Sequence, residues 1–140
     1  MTEKFRILSS FIKDMSSETP SIETYIFVKD IISKYHLDIT IDSKALKNQM
    51  IEIDTSLKFV DKEDRAKKST FEIIYTTIIK INGEIKDQNI LKKIILCDVQ
   101  IKIYPKIEKA LLDMIHNSGY ENVQFQKKID FEKLFEEKFN

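Results

Sequence analysis

At 140 residues, with 42% hydrophobic and 33% charged side chains, the chain has the composition of one soluble globular domain with enough apolar material for a real core. Its 23 basic and 23 acidic residues cancel, which argues against a nucleic-acid binder, because phosphate neutralisation calls for a basic excess. The apolar stretch 90–103 is broken by Lys92, Lys93, Asp98, Gln100 and Lys102 and cannot span a bilayer, MTEKFRILSS has too short an apolar core for a signal peptide, and the lone Cys97 excludes an internal disulfide and fits a reducing cytoplasm.

Pro20, Gly83, Pro105 and Gly119 are the chain's punctuation. Residues 4–16 read as a first strand, ended by Pro20, which cannot donate to a ladder. Strict alternation places Phe5, Ile7, Phe11 and Met15 on one face, and Ile12, Asp14, Ser16 and Glu18 together on the other. Residues 21–35 are undecided between a helix behind Ser21 and an extended crossover, with the extended form preferred. Leu37, Ile39 and Ile41 then alternate with Asp38, Thr40 and Asp42. After the polar link SKALKNQ, Ile51, Ile53, Thr55, Leu57 and Phe59 alternate with Glu52, Asp54, Ser56 and Lys58. Both are half-buried antiparallel strands.

The charged run at 61–68 is a hairpin loop. The return strand STFEIIYTTIIKI is apolar on both faces, so it needs cover on both: helices of this chain on one side and a second copy of the sheet on the other. Asn82-Gly83 is a turn. Residues 87–101 predict a short helix with Ile90, Leu91, Ile94 and Ile95 inward. Ile107, Ala110, Leu111, Met114 and Ile115 mark an amphipathic helix with Pro105 in its first turn and Gly119 at its stop. GYENVQF reads as extended, and IDFEKLFEEKF as a final helix capped by Asp130. Strands followed by helices give an α+β domain: an antiparallel four-stranded sheet with helices packed on one face.

Little here suggests catalysis. His36 starts a strand, and His116 sits where a helix dipole favours it. Cys97 has an apolar neighbourhood and no CxxC partner. Two glycines build no phosphate loop. No enzyme, metal site or cofactor is expected; a binding or assembly protein is.

Three segments, in order, resemble the SecB family of protein-export chaperones: FIKDMSSETP, HLDITIDSKALKNQMIEIDTSLKF, and YPKIEKALLDMIHNSGYENVQFQKKIDFEKLFEEKF. The last carries most, with its aromatic-Pro pair opening a long helix, a Gly stop, and a terminal (D/N)F-x-x-LF helix. The chain departs from the family where Thr76-Thr77 replace a common Gly pair and Glu108 replaces an arginine.

The resemblance implies a SecB-like Greek key and an ATP-independent holdase that binds unfolded preproteins and delivers them to the Sec translocase. It implies that Asp14, Glu18 and Glu72 form an acidic platform for the SecA motor. Asp14 and Glu18 are about 13 Å apart along a strand, too far for a chelate. Client binding falls by resemblance on Phe27, Leu37, Ile39, Ile41, Phe131, Leu134 and Phe135, and a homo-oligomer interface, a dimer or dimer of dimers, on Phe71, Ile73 and Tyr75. Diverged relatives shield the antitoxin of a toxin–antitoxin pair, and a plain oligomeric adaptor is the other alternative.

Overall fold

The computed structural model describes residues 4–63, 65–125 and 128–139. Four strands, β1 (Phe5–Glu18), β2 (His36–Ala45), β3 (Met50–Val60) and β4 (Thr70–Ile81), form one antiparallel sheet in the order β1-β4-β3-β2. Three hairpin-linked strands thus lie beside an earlier strand, which is a Greek key. Leu37, Phe59 and Phe71 lie in one cross-strand row, and Ile39, Leu57 and Ile73 in the next. These rows face the helices and supply much of the core. Asp38, Lys58 and Glu72 form a row on the outer face. Part of the polar link after Ile41 joins β2, and the hairpin turns through Asn48 and Gln49, both at φ 62. Paired left-handed residues match the twist of a tight hairpin.

β1 departs from strict alternation. Its register against β4 shifts between Ile7 and Ser9 and between Ile12 and Asp14. Each bulge inserts a residue, Leu8 or Lys13, and reassigns the faces that follow. Ile7, Ile12 and Met15 therefore lie opposite Ile79, Tyr75 and Ile73 on the helix side, whereas Phe11, Asp14, Ser16 and Glu18 lie opposite Thr76, Ile74, Glu72 and Thr70 on the outer face. The expected pairings of Phe11 with Met15 and of Ile12 with Asp14 are both broken by the second bulge.

The crossover at 21–35 is helical rather than extended: α1 spans Ile22–Ile31, followed by a 3-10 turn, Ile32–Lys34. Ser21 caps it, its hydroxyl accepting the Thr24 N–H at 3.1 Å. Val28 is fully buried. Tyr25 stacks near Tyr120, with centroids 5.2 Å apart, and its hydroxyl donates to the Gly119 carbonyl at 2.8 Å. Around it, the hydroxyls of Thr19, Ser69 and Tyr120 form a chain of 2.7–2.8 Å contacts, and the Tyr35 hydroxyl donates to the Ser69 carbonyl. Such a satisfied polar knot fixes the crossover's path through an aromatic core.

On the far side come α2 (Gln88–Lys93), a π turn (Ile94–Asp98) and α3 (Val99–Asn117). Pro105 lies inside α3, not in its first turn. It removes the hydrogen bond to the residue-101 carbonyl, yet the helix continues through it, with Val99, Ile103, Ile107, Leu111 and Ile115, spaced by four and all buried, anchoring it against β4 and β3. Ile94 and Ile95 are buried and Leu91 half-buried as expected, but Ile90 is exposed. Residues 119–125 form turns and irregular backbone instead of an extended run. α4 (Phe131–Phe139) is capped by Asp130, whose carboxylate accepts the Lys133 N–H at 3.1 Å. It packs against the π turn, with Phe131 edge-on to Tyr104.

Candidate functional site

The outer sheet face collects the charges. Ser16 pairs directly with Glu72, and Asp14 and Glu18 stand one position to either side of that pair on the same face, so the fold brings the three acids together. Lys58, directly opposite Glu72 on β3, lies 3.5 Å from its carboxylate. Several further acids on this face were not singled out from the sequence, among them an opposed pair. Asp42 and Asp54 oppose one another across β2 and β3, a like-charge arrangement that costs stability. Asp54 is compensated by the Lys13 ammonium at 3.2 Å and by the Thr76 hydroxyl at 2.8 Å. Only the register reveals this, because the two aspartates are distant in sequence.

The helix side is unevenly covered. α3 lies over β4 and β3, which leaves Leu37, Ile39 and Ile41 on β2 half-buried beside it. At the opposite edge, β1 shows Ile7, Leu8, Phe11, Ile12 and Met15 at 37–49% exposure. α1 adds Ile22, Ile26 and Phe27, at 70%, 58% and 38%. The β1 and α1 side chains lie outside the core, whereas Leu37, Ile39 and Ile41 are partly covered and pack against it. Neither the β1 group nor the Ile22–Ile26 pair was marked by the sequence reading.

Other expected site residues are placed differently. Phe71 and Ile73 are 1% and 0% exposed beneath α3. They are core residues of this chain, so an interface role does not fit them; odd-numbered positions of β4 face the helices, and Tyr75 in the same row is half-buried. Phe131 and Phe135 are likewise buried, at 4% and 9%, because α4 turns them onto the π turn and Tyr104. Leu134, between them in sequence, is half-buried.

The titratable groups are occupied structurally. The His116 imidazole Nε2 lies 2.7 Å from the Val123 carbonyl. Burial, reinforced by Asp98 and Glu132, pushes the Cys97 thiol up, away from the thiolate form. Burial also raises Tyr104, with Glu108 adding to the shift. Among the described residues no group of three or more His, Cys, Asp or Glu side chains could hold a metal ion, and no helix is long and apolar enough to cross a membrane.

A four-stranded Greek-key sheet with helices on one face, exposed apolar side chains along β1 and a charged outer face defines the chain as an α+β protein of the sheet-and-helix type. The family model described as preprotein translocase subunit SecB matches residues 1–140. A Pelagibacter ubique (strain HTCC1062) protein described as protein-export protein SecB is 51% identical over 140 residues, covering all of both chains. Among solved structures, the Mycobacterium tuberculosis Rv1957 SecB-like chaperone, in complex with a ChAD peptide from the Rv1956 HigA1 antitoxin, superposes with a TM-score of 0.64 at 8% identity, covering 89% of this chain and 91% of that one. A Streptococcus agalactiae protein of unknown function superposes with a TM-score of 0.52 at 9% identity, covering 92% and 100%. At these identities the two structures establish the shared fold alone. The chain belongs to the SecB family, whose role is that of a chaperone in protein export and not of an enzyme.

Proposed function

We propose that this protein is an ATP-independent holdase that binds non-native polypeptides destined for export and passes them to SecA. The observation that carries the proposal is the accessible apolar surface: Leu37, Ile39 and Ile41 left beside α3, and Ile22, Ile26 and Phe27 on α1. Apolar contacts of this kind attract by area rather than by shape, so they accept many client sequences. The charged rows on the outer face keep the empty chaperone soluble. The proposed client surface comprises Leu37, Ile39 and Ile41 on β2 and Ile22, Ile26 and Phe27 on α1, while the buried Phe131 and Phe135 hold α4 in place.

The same reading gives the outer face to SecA, through Asp14, Glu18 and Glu72. Spread carboxylates suit a basic segment of a partner better than a chelated ion. The full-length relative described as a protein-export protein favours this delivery role over that of an antitoxin chaperone. The fold shared with Rv1957, whose solved structure includes an antitoxin peptide, is compatible with holding a polypeptide segment.

One experiment with two readouts tests the proposal. The protein should suppress the aggregation of an unrelated, chemically unfolded protein at stoichiometric ratio without nucleotide. The Asp14→Asn, Glu18→Gln, Glu72→Gln variant should suppress it equally well yet lose binding to SecA at low salt. Absence of suppression would leave an adaptor; undiminished SecA binding would remove the acids from the docking surface.

A further inference from the structure

The sheet ends on two edge strands that are built differently. β1 is interrupted by two register shifts against β4, the kind of irregularity that blunts an edge. β2 has none. It pairs with β3 residue for residue from His36 to Ala45, and it contains no proline. Among the described residues no strand pairs with its other side, and no turn or loop gives it a backbone hydrogen bond. Every second residue of such a strand turns its N–H and C=O away from its one neighbour. The free side of β2 is therefore a regular template for one more strand.

The side chains along this edge restrict the occupant. On the helix side Leu37, Ile39 and Ile41 are partly buried against the core, and apolar residues at alternate positions of an added strand would complete their cover. On the outer side the charges of β2 are matched across β3 with one exception. Asp38 faces Lys58 and Lys44 faces Glu52, but Asp42 faces Asp54. The cation that compensates Asp54, Lys13 at 3.2 Å, comes from β1. Asp42 itself is exposed, and among the described residues no cation forms an ion pair with it. A basic residue directly opposite on an added strand would stand about 4.5–5.5 Å away between β-carbons and offset that repulsion. We infer that the free edge of β2 takes up an extended polypeptide segment as an antiparallel fifth strand, one that alternates apolar with polar residues and carries Lys or Arg opposite Asp42. In strand addition the main-chain bonds give affinity and alternate side chains give preference, so a ladder of this kind accepts many sequences. The inference deepens the holdase reading by naming the segment that would be held; its use for clients rests on that reading, whereas the binding event does not.

The test is fluorescence anisotropy on the full chain with an N-terminally labelled nonapeptide amide, Thr-Ile-Thr-Val-Lys-Val-Thr-Ile-Thr. Two N-methylated versions probe the ladder, one methylated at the four apolar residues and the other at the lysine and its two nearest threonines. One version should bind about tenfold more weakly and the other like the parent, because only one set turns its N–H groups toward β2. Equal loss or equal retention overturns the inference. Replacing the peptide's lysine by glutamate should weaken binding about fivefold, the scale of exchanging an attractive cross-strand pair for a repulsive one. Asp42→Asn should remove that preference and Asp42→Lys should reverse it, a reversal that damage to the fold would not produce. Asp113→Asn, the same neutralisation on the exposed face of α3, should leave the preference intact. A preference unmoved by the changes at Asp42, or lost equally at Asp113, overturns the inference. So does a peptide that halves the mass seen by light scattering, which would give the edge to a second copy of the chain. Intact aggregation suppression without the N-methyl contrast overturns this inference alone, and the contrast without suppression overturns the holdase alone.

Discussion

Asp61, at the base of the hairpin between β3 and β4, has a side chain only 2% exposed. Its two oxygens accept from one guanidinium nitrogen of Arg65 at 2.6 and 2.7 Å, and Oδ1 also accepts the Glu63 N–H at 3.1 Å. The bond to Arg65 holds this carboxyl below its usual range, outweighing the opposing effect of burial. A folded-state pKa depressed below the unfolded value of about 3.9 means stability that is present above that value and lost as pH falls through the folded one. Asp61→Asn should therefore lower the melting temperature at neutral pH, and the gap to the parent should narrow as both are acidified below about pH 4. A gap constant across that range would show that the carboxylate charge contributes nothing. Gln100 shows the same dependence on tertiary context. The sequence reading treats it as a polar interruption of an apolar run, yet it is fully buried, accepting from the Thr55 hydroxyl at 3.1 Å and donating to the Ile95 carbonyl at 3.3 Å.

Gly119 ends α3 at φ +102, and a Cβ there would come within 2.6 Å of the Tyr25 ring. The helix end and the α1 crossover are therefore fitted to one another, as the bond from the Tyr25 hydroxyl to the Gly119 carbonyl also shows. Gly119→Ala should cost about 1–3 kcal/mol, the scale of a strained backbone position, read as a lower urea midpoint. In a Tyr25→Ala background the same change should cost less, because the clash is gone; strictly additive effects in the double-mutant cycle would refute the fit. This contact also explains why α1 was hard to read. Its local pattern allows a strand, and what selects the helix is the Ser21 cap together with partners some ninety residues away. β2 and β3, by contrast, were legible almost to their ends, because one face is buried and the other wet, so period two survives in the sequence. β1 was found but mis-faced, since nothing local announces a bulge at Lys13. That Asp14, Ser16 and Glu18 share a face was legible because alternation beyond that bulge is regular, whereas which apolar residues stay bare depends on where α3 and α4 come to rest. α3 outran its prediction because five buried side chains outweigh one missing hydrogen bond at Pro105.

The chain exposes 9252 Å², whereas a compact monomer of this mass exposes about 7,600 Å². The excess is on the order of 1,700 Å², comparable with two standard protein–protein patches of about 800 Å² each. Apolar side chains on α1, with Ile22, Ile26 and Phe27 at 70%, 58% and 38% exposure, contribute to it. Another part is β1, a 14-residue edge strand with apolar side chains bare on both faces. Two bulges blunt such an edge but do not cover it. The obvious cover is a second copy of the same strand, which would bury Leu8 and Phe11 and complete the ladder by a two-fold contact. On this expectation assembly would fall to β1, with Phe71 and Ile73 in the core. Light scattering at micromolar concentration should then return a mass that is a multiple of 16.5 kDa, and Leu8→Lys with Phe11→Lys should reduce it to one chain. The circular dichroism spectrum should be unchanged, since the two side chains are already 43% and 49% exposed. A parent protein that weighs as one chain, or a double variant that assembles like the parent, would separate the bare edge from assembly. β1 would then join β2 and α1 in the proposed client surface.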